Sequence, residues 1–223
     1  TKRTEDALRL SEQKFASVFQ QCPDILLIAR HSDGCLLEVN EAFEEQIGLS
    51  PAQVIGRTAT ELGLWGVAGT GPTILERVQR GGIRNLEMSF RRSNGELFTG
   101  LTSAESFDLD GTPALVVAVR DISQLKETQQ QLQTSEEKFA KAFHASPDGL
   151  LITRLRDGLL VEANDGFSRI TGYSLDEIAE QSTLSLGIWA DPKDRERLVQ
   201  RIREQGSVRD LIAPVRTKSG QLR

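Results

Sequence analysis

The chain has 223 residues, with 27 Lys and Arg against 32 Asp and Glu, a formal net charge of −5 and a pI near 5.3. This length suits two domains of about 100 residues each, and 38% hydrophobic with 26% charged residues describes an ordinary soluble protein. The acidic balance offers nucleic acid no basic footprint. No apolar run reaches the roughly 20 residues of a membrane span, and there is no secretion signal, so no membrane contact is expected within this segment.

The first 20 residues are read as the end of an upstream linker helix, with Leu8 and Phe15 seven residues apart. Pro23-Asp24 stops that helix. Ile25 to Ala29 is a short apolar run, read as a buried strand. Asp33-Gly34 is a hairpin signal, and Leu36, Leu37 and Val39 return the chain. Asn40 is placed to cap a helix that Gly48 ends, and Ser50, Pro51 and Gln53 mark a second helix start. Gly66, Gly69 and Gly71 read as a flexible connector, since no Lys or preceding strand makes them a phosphate loop. Leu86, Met88 and Phe90 alternate with polar residues in a half-buried strand. Asn94-Gly95 turns into a strand over 96–107, and Asp110-Gly111 turns into a third over 113–120. That last strand is apolar almost throughout, which predicts a central position. The unit is α+β: two strands, a helical crossover and three strands, with helices on one sheet face and an apolar interior able to take a small ligand.

The unit then returns. SEQKFASVFQQCPDILLIAR from Ser11 recurs as SEEKFAKAFHASPDGLLITR from Ser135, and the offset of 124 residues holds without a gap to Trp65 and Trp189. A repeat of this size is two copies of one fold. The domains are read as 21–120 and 144–223, joined by a linker helix over 121–143. Lys218 to Arg223 aligns with Arg92 to Phe98, so the second copy lacks its last two strands and the natural chain is expected to continue.

In the linker, Leu125, Leu132 and Phe139 recur every seven residues, and Ile122, Gln129, Glu136 and Phe143 form a second, mixed row. This is a heptad seam, and it predicts a parallel homodimer through the linker helices; the alternative is a lone helix lying along one domain. Asp121, Ile122 and Ser123 join the final apolar strand to this helix. With Leu125, Leu132 and Phe139 they are the candidate signal-transmission residues, since ligand state in the sheet would shift the helix between two arrangements.

Both copies resemble the PAS fold of the S-box type found in bacterial sensors. The residues that carry the resemblance are Pro23-Asp24 and Pro147-Asp148-Gly149; Asp33-Gly34 and Asp157-Gly158; Val39-Asn40-Glu41-Ala42-Phe43 and Ala163-Asn164-Asp165-Gly166-Phe167; Gly172-Tyr173-Ser174 with Glu177-Ile178; and Asp121-Ile122-Ser123 after the last strand. The resemblance implies a five-stranded antiparallel sheet with helices on one face. It also implies a domain that binds a small molecule, cofactor or partner and informs a downstream output domain. Output in such parents is cyclic di-GMP turnover by GGDEF and EAL domains or a histidine kinase. Cyclic di-GMP turnover is the expectation here, and a cofactor-free dimerisation and relay module of a histidine kinase is the alternative. The parent is expected in the cytoplasm, with an inner-membrane anchor as one arrangement.

No acid, base or nucleophile constellation is visible, so no enzyme is expected within this chain. Trp65 and Trp189 are the only tryptophans and occupy equivalent places. Either indole could stack on a flavin, as tryptophans near this region do in flavin-binding relatives of the resembled family, or simply close the core. Asn40, Met88, Phe90 and Asn164 complete the candidate cofactor-binding set, with FAD ahead of haem. His31 and His144 lack a second ligand at metal spacing, so no metal is expected. Cys22 and Cys35 have no counterparts in the second copy, which favours free thiols in a reducing compartment.

Overall fold

A computed structural model describes residues 2–223, with the side chains of 2–8, 11 and 12 excepted; Leu8 of the upstream heptad therefore lies outside the described residues. The chain divides into two compact units, 1–129 and 130–223.

In the first unit, α1 (Lys2–Gln21) leads into β1 (Ile25–Arg30) and β2 (Leu36–Val39), followed by α2 (Glu41–Ile47), α3 (Pro51–Val54) and α4 (Thr70–Gly81). Then come β3 (Ile83–Arg91), β4 (Leu97–Leu109) and β5 (Thr112–Asp121), and α5 (Ser123–Ala145) follows. The sheet order is β2-β1-β5-β4-β3, and every neighbouring pair is antiparallel. The apolar β5 is central, as its composition requires. Asp110 and Gly111 both take positive φ, 52° and 81°, which gives the tight β4–β5 hairpin the twist its strands need.

The local signals explain the helices. Asn40 caps α2 by accepting from the Phe43 N–H, and Gly48 ends it in the left-handed conformation. Ser50 and Gln53 form a capping box on α3. The glycine-rich stretch departs from expectation. Gly69 opens α4, and Gly71 lies inside that helix and is buried. A Cβ on Gly71 would stand 2.3 Å from Thr60 Oγ1 and 2.6 Å from Trp65 Nε1, so its glycine allows close packing rather than flexibility.

Phe43, Ile47, Val54, Leu64 and Val78 pack on the inner sheet face, against Ile25, Ala29, Met88, Phe90, Phe98, Ala104, Leu115 and Val119. On the outer face the end of α1 lays Phe19 against Ile28 and Ala114.

The second unit repeats the first half of this plan. It has β6 (Leu151–Thr153), β7 (Leu160–Ala163), α6 (Asp165–Thr171), α7 (Leu175–Ile178) and α8 (Pro192–Gln205). Asn164 caps α6 as Asn40 caps α2, and Ser174 and Glu177 form the capping box of α7. Its sheet has two strands, and its core is correspondingly small: Leu160, Ala163, Phe167, Ile178 and Ile188.

The backbone corrects one sequence alignment. Arg91 N donates to Leu64 O and Ser93 N to Ile47 O; Arg216 N donates to Ile188 O and Lys218 N to Thr171 O. Thr217, not Lys218, therefore stands where Arg92 does. Val215 stands where Phe90 does, since Val215 bridges Trp189 as Phe90 bridges Trp65. The offset slips by one residue between Trp189 and Val215, in the connection that carries α8.

Candidate functional site

Between the inner sheet face and α2–α4 lies a cavity of about 260 Å³. Trp65, Met88 and Phe90, three of the residues expected beside a ligand, line it. Trp65 stacks on Phe90 with ring centroids 5.6 Å apart, and Phe90 stacks on Phe98 at 5.4 Å, so one wall is a ladder of three aromatic rings. Gly100 makes room for the ladder: a Cβ there would fall 2.7 Å from the Phe90 ring.

The remaining lining is apolar apart from a few groups whose hydrogen bonds can be followed. Trp65 Nε1 donates to Thr60 Oγ1 at 3.0 Å, and Thr58 Oγ1 accepts from Glu61 N at 3.2 Å. Asp33, at the rim, accepts from Arg30 Nη1 at 2.9 Å and from Cys35 N at 3.0 Å. Thr102 Oγ1 has no partner.

Asn40 sits elsewhere. It is fully buried, and its amide is spent on backbone: Oδ1 accepts from Leu26 N and Phe43 N, while Nδ2 donates to Cys22 O and Asp24 O. Asn164 makes the equivalent bonds to Leu150 N, Phe167 N, Ser146 O and Asp148 O, and donates in addition to Phe143 O. Both asparagines hold the scaffold rather than face the cavity. His31 and His144 do not line the cavity either.

The cavity fits FAD and haem poorly. No Lys, Arg, His, Asn or Gln lines it, so flavin ring carbonyls, phosphates and haem propionates would be buried with little besides threonine hydroxyls to donate to them.

A chain of contacts leads from the aromatic wall to α5. The Arg92 guanidinium carbon lies 4.4 Å from the Phe98 ring centroid. Arg92 Nη1 donates to Gln46 O, and Nη2 donates to Asp121 Oδ2, each at 2.5 Å. Asp121 Oδ1 accepts at 2.8 Å from the N–H of Ser123, the first residue of α5. Thr99 fastens the same turn, its carbonyl accepting from Ile122 N and its N–H donating to Ser123 Oγ. Lys126 of α5 also pairs with Glu87 of β3. Sequence reasoning missed Arg92, which reads as one of two adjacent surface arginines but whose side chain is only 18% exposed.

Burial pushes the Asp121 carboxyl up, but hydrogen bonds from Ser123 and the Arg92 guanidinium outweigh it and hold the pKa below its ordinary 3.8. A depressed carboxylate contributes stability that is present above its unfolded pKa and lost as pH falls through the folded one. The anchor of α5 is therefore expected to stay intact at pH 5 and to loosen only below 3.8. Carbon-detected NMR titration of Asp121 checks this, and a midpoint at or above 3.8 contradicts it.

The second unit does not rebuild this wall. Leu184 takes the place of Thr60, and the buried Trp189 Nε1 has no hydrogen-bond partner. Val215 and Thr217 replace Phe90 and Arg92.

The PAS domain family matches residues 23–124 and, separately, residues 137–205. This chain is a tandem of PAS domains. Sporulation kinase E of Bacillus subtilis (strain 168) is 26% identical over 178 residues, covering 79% of this chain but 23% of the kinase, so the chain spans about a quarter of that relative's length. Among solved structures, the PAS domain of an HTR-like protein from Haloarcula marismortui is 22% identical with a TM-score of 0.46, covering 55% of this chain and 100% of that one. A domain of a sensory box sensor histidine kinase/response regulator from Geobacter sulfurreducens is 24% identical with a TM-score of 0.42, covering 51% and 96%.

Outside the PAS cavity, α5 carries the other candidate residues. Leu125, Leu132 and Phe139 are 66%, 60% and 53% exposed, in one row. Ile122 and Phe143 are buried, so the second heptad row keeps only Gln129 and Glu136 for any partner helix. Phe139 stacks on Phe143 at 5.5 Å, as Phe15 does on Phe19 at 5.9 Å. Among the described residues no helix is long and apolar enough to cross a membrane.

Proposed function

We propose that this chain is the sensory and relay region of a bacterial histidine kinase. The first PAS domain binds a small molecule in its cavity, and the aromatic wall, Arg92 and Asp121 pass the state of that cavity to α5. The observation that carries this reading is the unbroken run of contacts from Trp65 through Phe90, Phe98, Arg92 and Asp121 to the first N–H of α5. The similarity to a sporulation kinase favours a kinase output over the cyclic di-GMP output expected from the resemblance alone. Two copies of the chain pair through the exposed row of α5 as a parallel homodimer. The two unpaired thiols, Cys22 and Cys35, suit a cytoplasmic setting.

The test uses the full-length parent. Asp121→Asn removes the charge that holds Arg92 while keeping the size of the side chain. Autophosphorylation is expected to change about fivefold or more, the lower end of ordinary coupling between sites, with the melting of the first domain little altered. Arg92→Gln is expected to shift output in the same direction. Unchanged output in both variants overturns the relay.

A further inference from the structure

We infer that the cavity of the first domain selects a small, uncharged aromatic molecule of one or two rings whose single hydrogen-bonding group pairs with Thr102 Oγ1. This inference rests on the ligand-binding reading above and adds the class of ligand and the residue that selects it.

Thr102 lies on β4, facing inward between Gly100 and Ala104, with Leu86 and Val119 in register on the neighbouring strands. None of these four side chains has a polar atom. Thr102 is 2% exposed, lines the cavity, and its hydroxyl has no hydrogen-bond partner. A buried hydroxyl left unpaired is unfavourable, and a group brought in by a ligand would relieve it.

The other lining groups narrow the class. The Trp65 N–H is taken by Thr60, and the Thr58 hydroxyl accepts from Glu61 N. With no cation in the wall, an anionic ligand has nothing to neutralise it. Asp33, the one carboxylate at the rim, is already paired with Arg30, so a cationic ligand would compete with an existing partner. The volume of about 260 Å³ is below the range of about 300–1,000 Å³ for pockets that hold drug-sized ligands. The Trp65–Phe90–Phe98 ladder offers a flat ring a surface to stack on.

Indole and indene are the probes. They have the same shape, but only indole carries an N–H, which can donate to Thr102 Oγ1. Binding to this chain is followed by NMR of the cavity methyl groups, in the wild type, Thr102→Val and Thr102→Ser. Indole is expected to bind the wild type and Thr102→Ser, and to bind the near-isosteric Thr102→Val roughly tenfold more weakly. Indene is expected to bind the wild type and Thr102→Val alike, within about twofold. If both probes bind and Thr102→Val weakens neither selectively, the selecting role of Thr102 is overturned while the cavity remains a ligand site. If neither probe perturbs the cavity methyls of the wild type, the aromatic class of ligand is overturned, while the relay reading is decided separately by the output of Asp121→Asn and Arg92→Gln.

Discussion

Asn40→Ala will lower the melting temperature of the first PAS domain by roughly 15 °C. The residue is fully buried and joins three elements: the exit of α1 through Cys22 O, the start of β1 through Asp24 O and Leu26 N, and the first turn of α2 through Phe43 N. Alanine leaves four backbone groups without this partner. Each stranded buried group costs about 1–3 kcal/mol, and because some will find water the whole substitution should cost about 3 kcal/mol. In a domain of this size each kcal/mol moves the transition by about 4–8 °C. Asn40→Asp should rescue little at neutral pH, because its carboxylate would face the carbonyls of Cys22 and Asp24, which need donors. Calorimetry of the whole chain decides the matter: a drop of less than about 5 °C for Asn40→Ala would show that the amide is dispensable.

Leu125→Asp together with Leu132→Asp will turn the proposed dimer into a monomer. Both side chains are more than half exposed, and they sit two helical turns apart on the same side of α5. Full burial of a leucine is worth about 1.5–3 kcal/mol, and a parallel pair of helices would bury both from each chain, with Phe139 extending the row. Gln129 and Glu136 in the neighbouring row weaken the seam, so the wild-type dimer should be of micromolar strength and sensitive to concentration. Sedimentation equilibrium from about 5 to 200 μM should show the wild type associating and the variant remaining single. Far-UV circular dichroism should confirm that both PAS domains stay folded. A wild type that is monomeric throughout that range removes the coiled coil from the proposal.

The architecture was legible wherever local chemistry and the repeat agreed. Asn40, Gly48, Ser50 and Asp110-Gly111 each specify a cap or a turn through a few neighbouring residues, and the structure places each where expected. The apolar run of β5 announces a central strand, and the structure places it between β1 and β4. The role of Gly71 is hidden in the sequence, because glycine in a loop and glycine under an indole look alike until the indole is placed.

The site was less legible for a related reason. Trp65, Met88 and Phe90 stand out by size and alternation, and they do line the cavity. Thr102 carries its signal in an absence, a hydroxyl without a partner, which no local pattern records. Arg92 acquires its meaning from Phe98 and from Asp121, 29 residues on. Heptad spacing found the row of α5 but could not reveal that Ile122 and Phe143 are drawn into globular interiors and leave it.

The slip of one residue that puts Thr217 opposite Arg92, and Val215 opposite Phe90, has a consequence for how the halves divide their labour. Among the described residues, the second half has neither the stacked rings nor the guanidinium through which the first would report. Exchanging the halves would therefore not conserve the response. A chimera carrying the later half in the earlier position would keep the frame and lose the messenger.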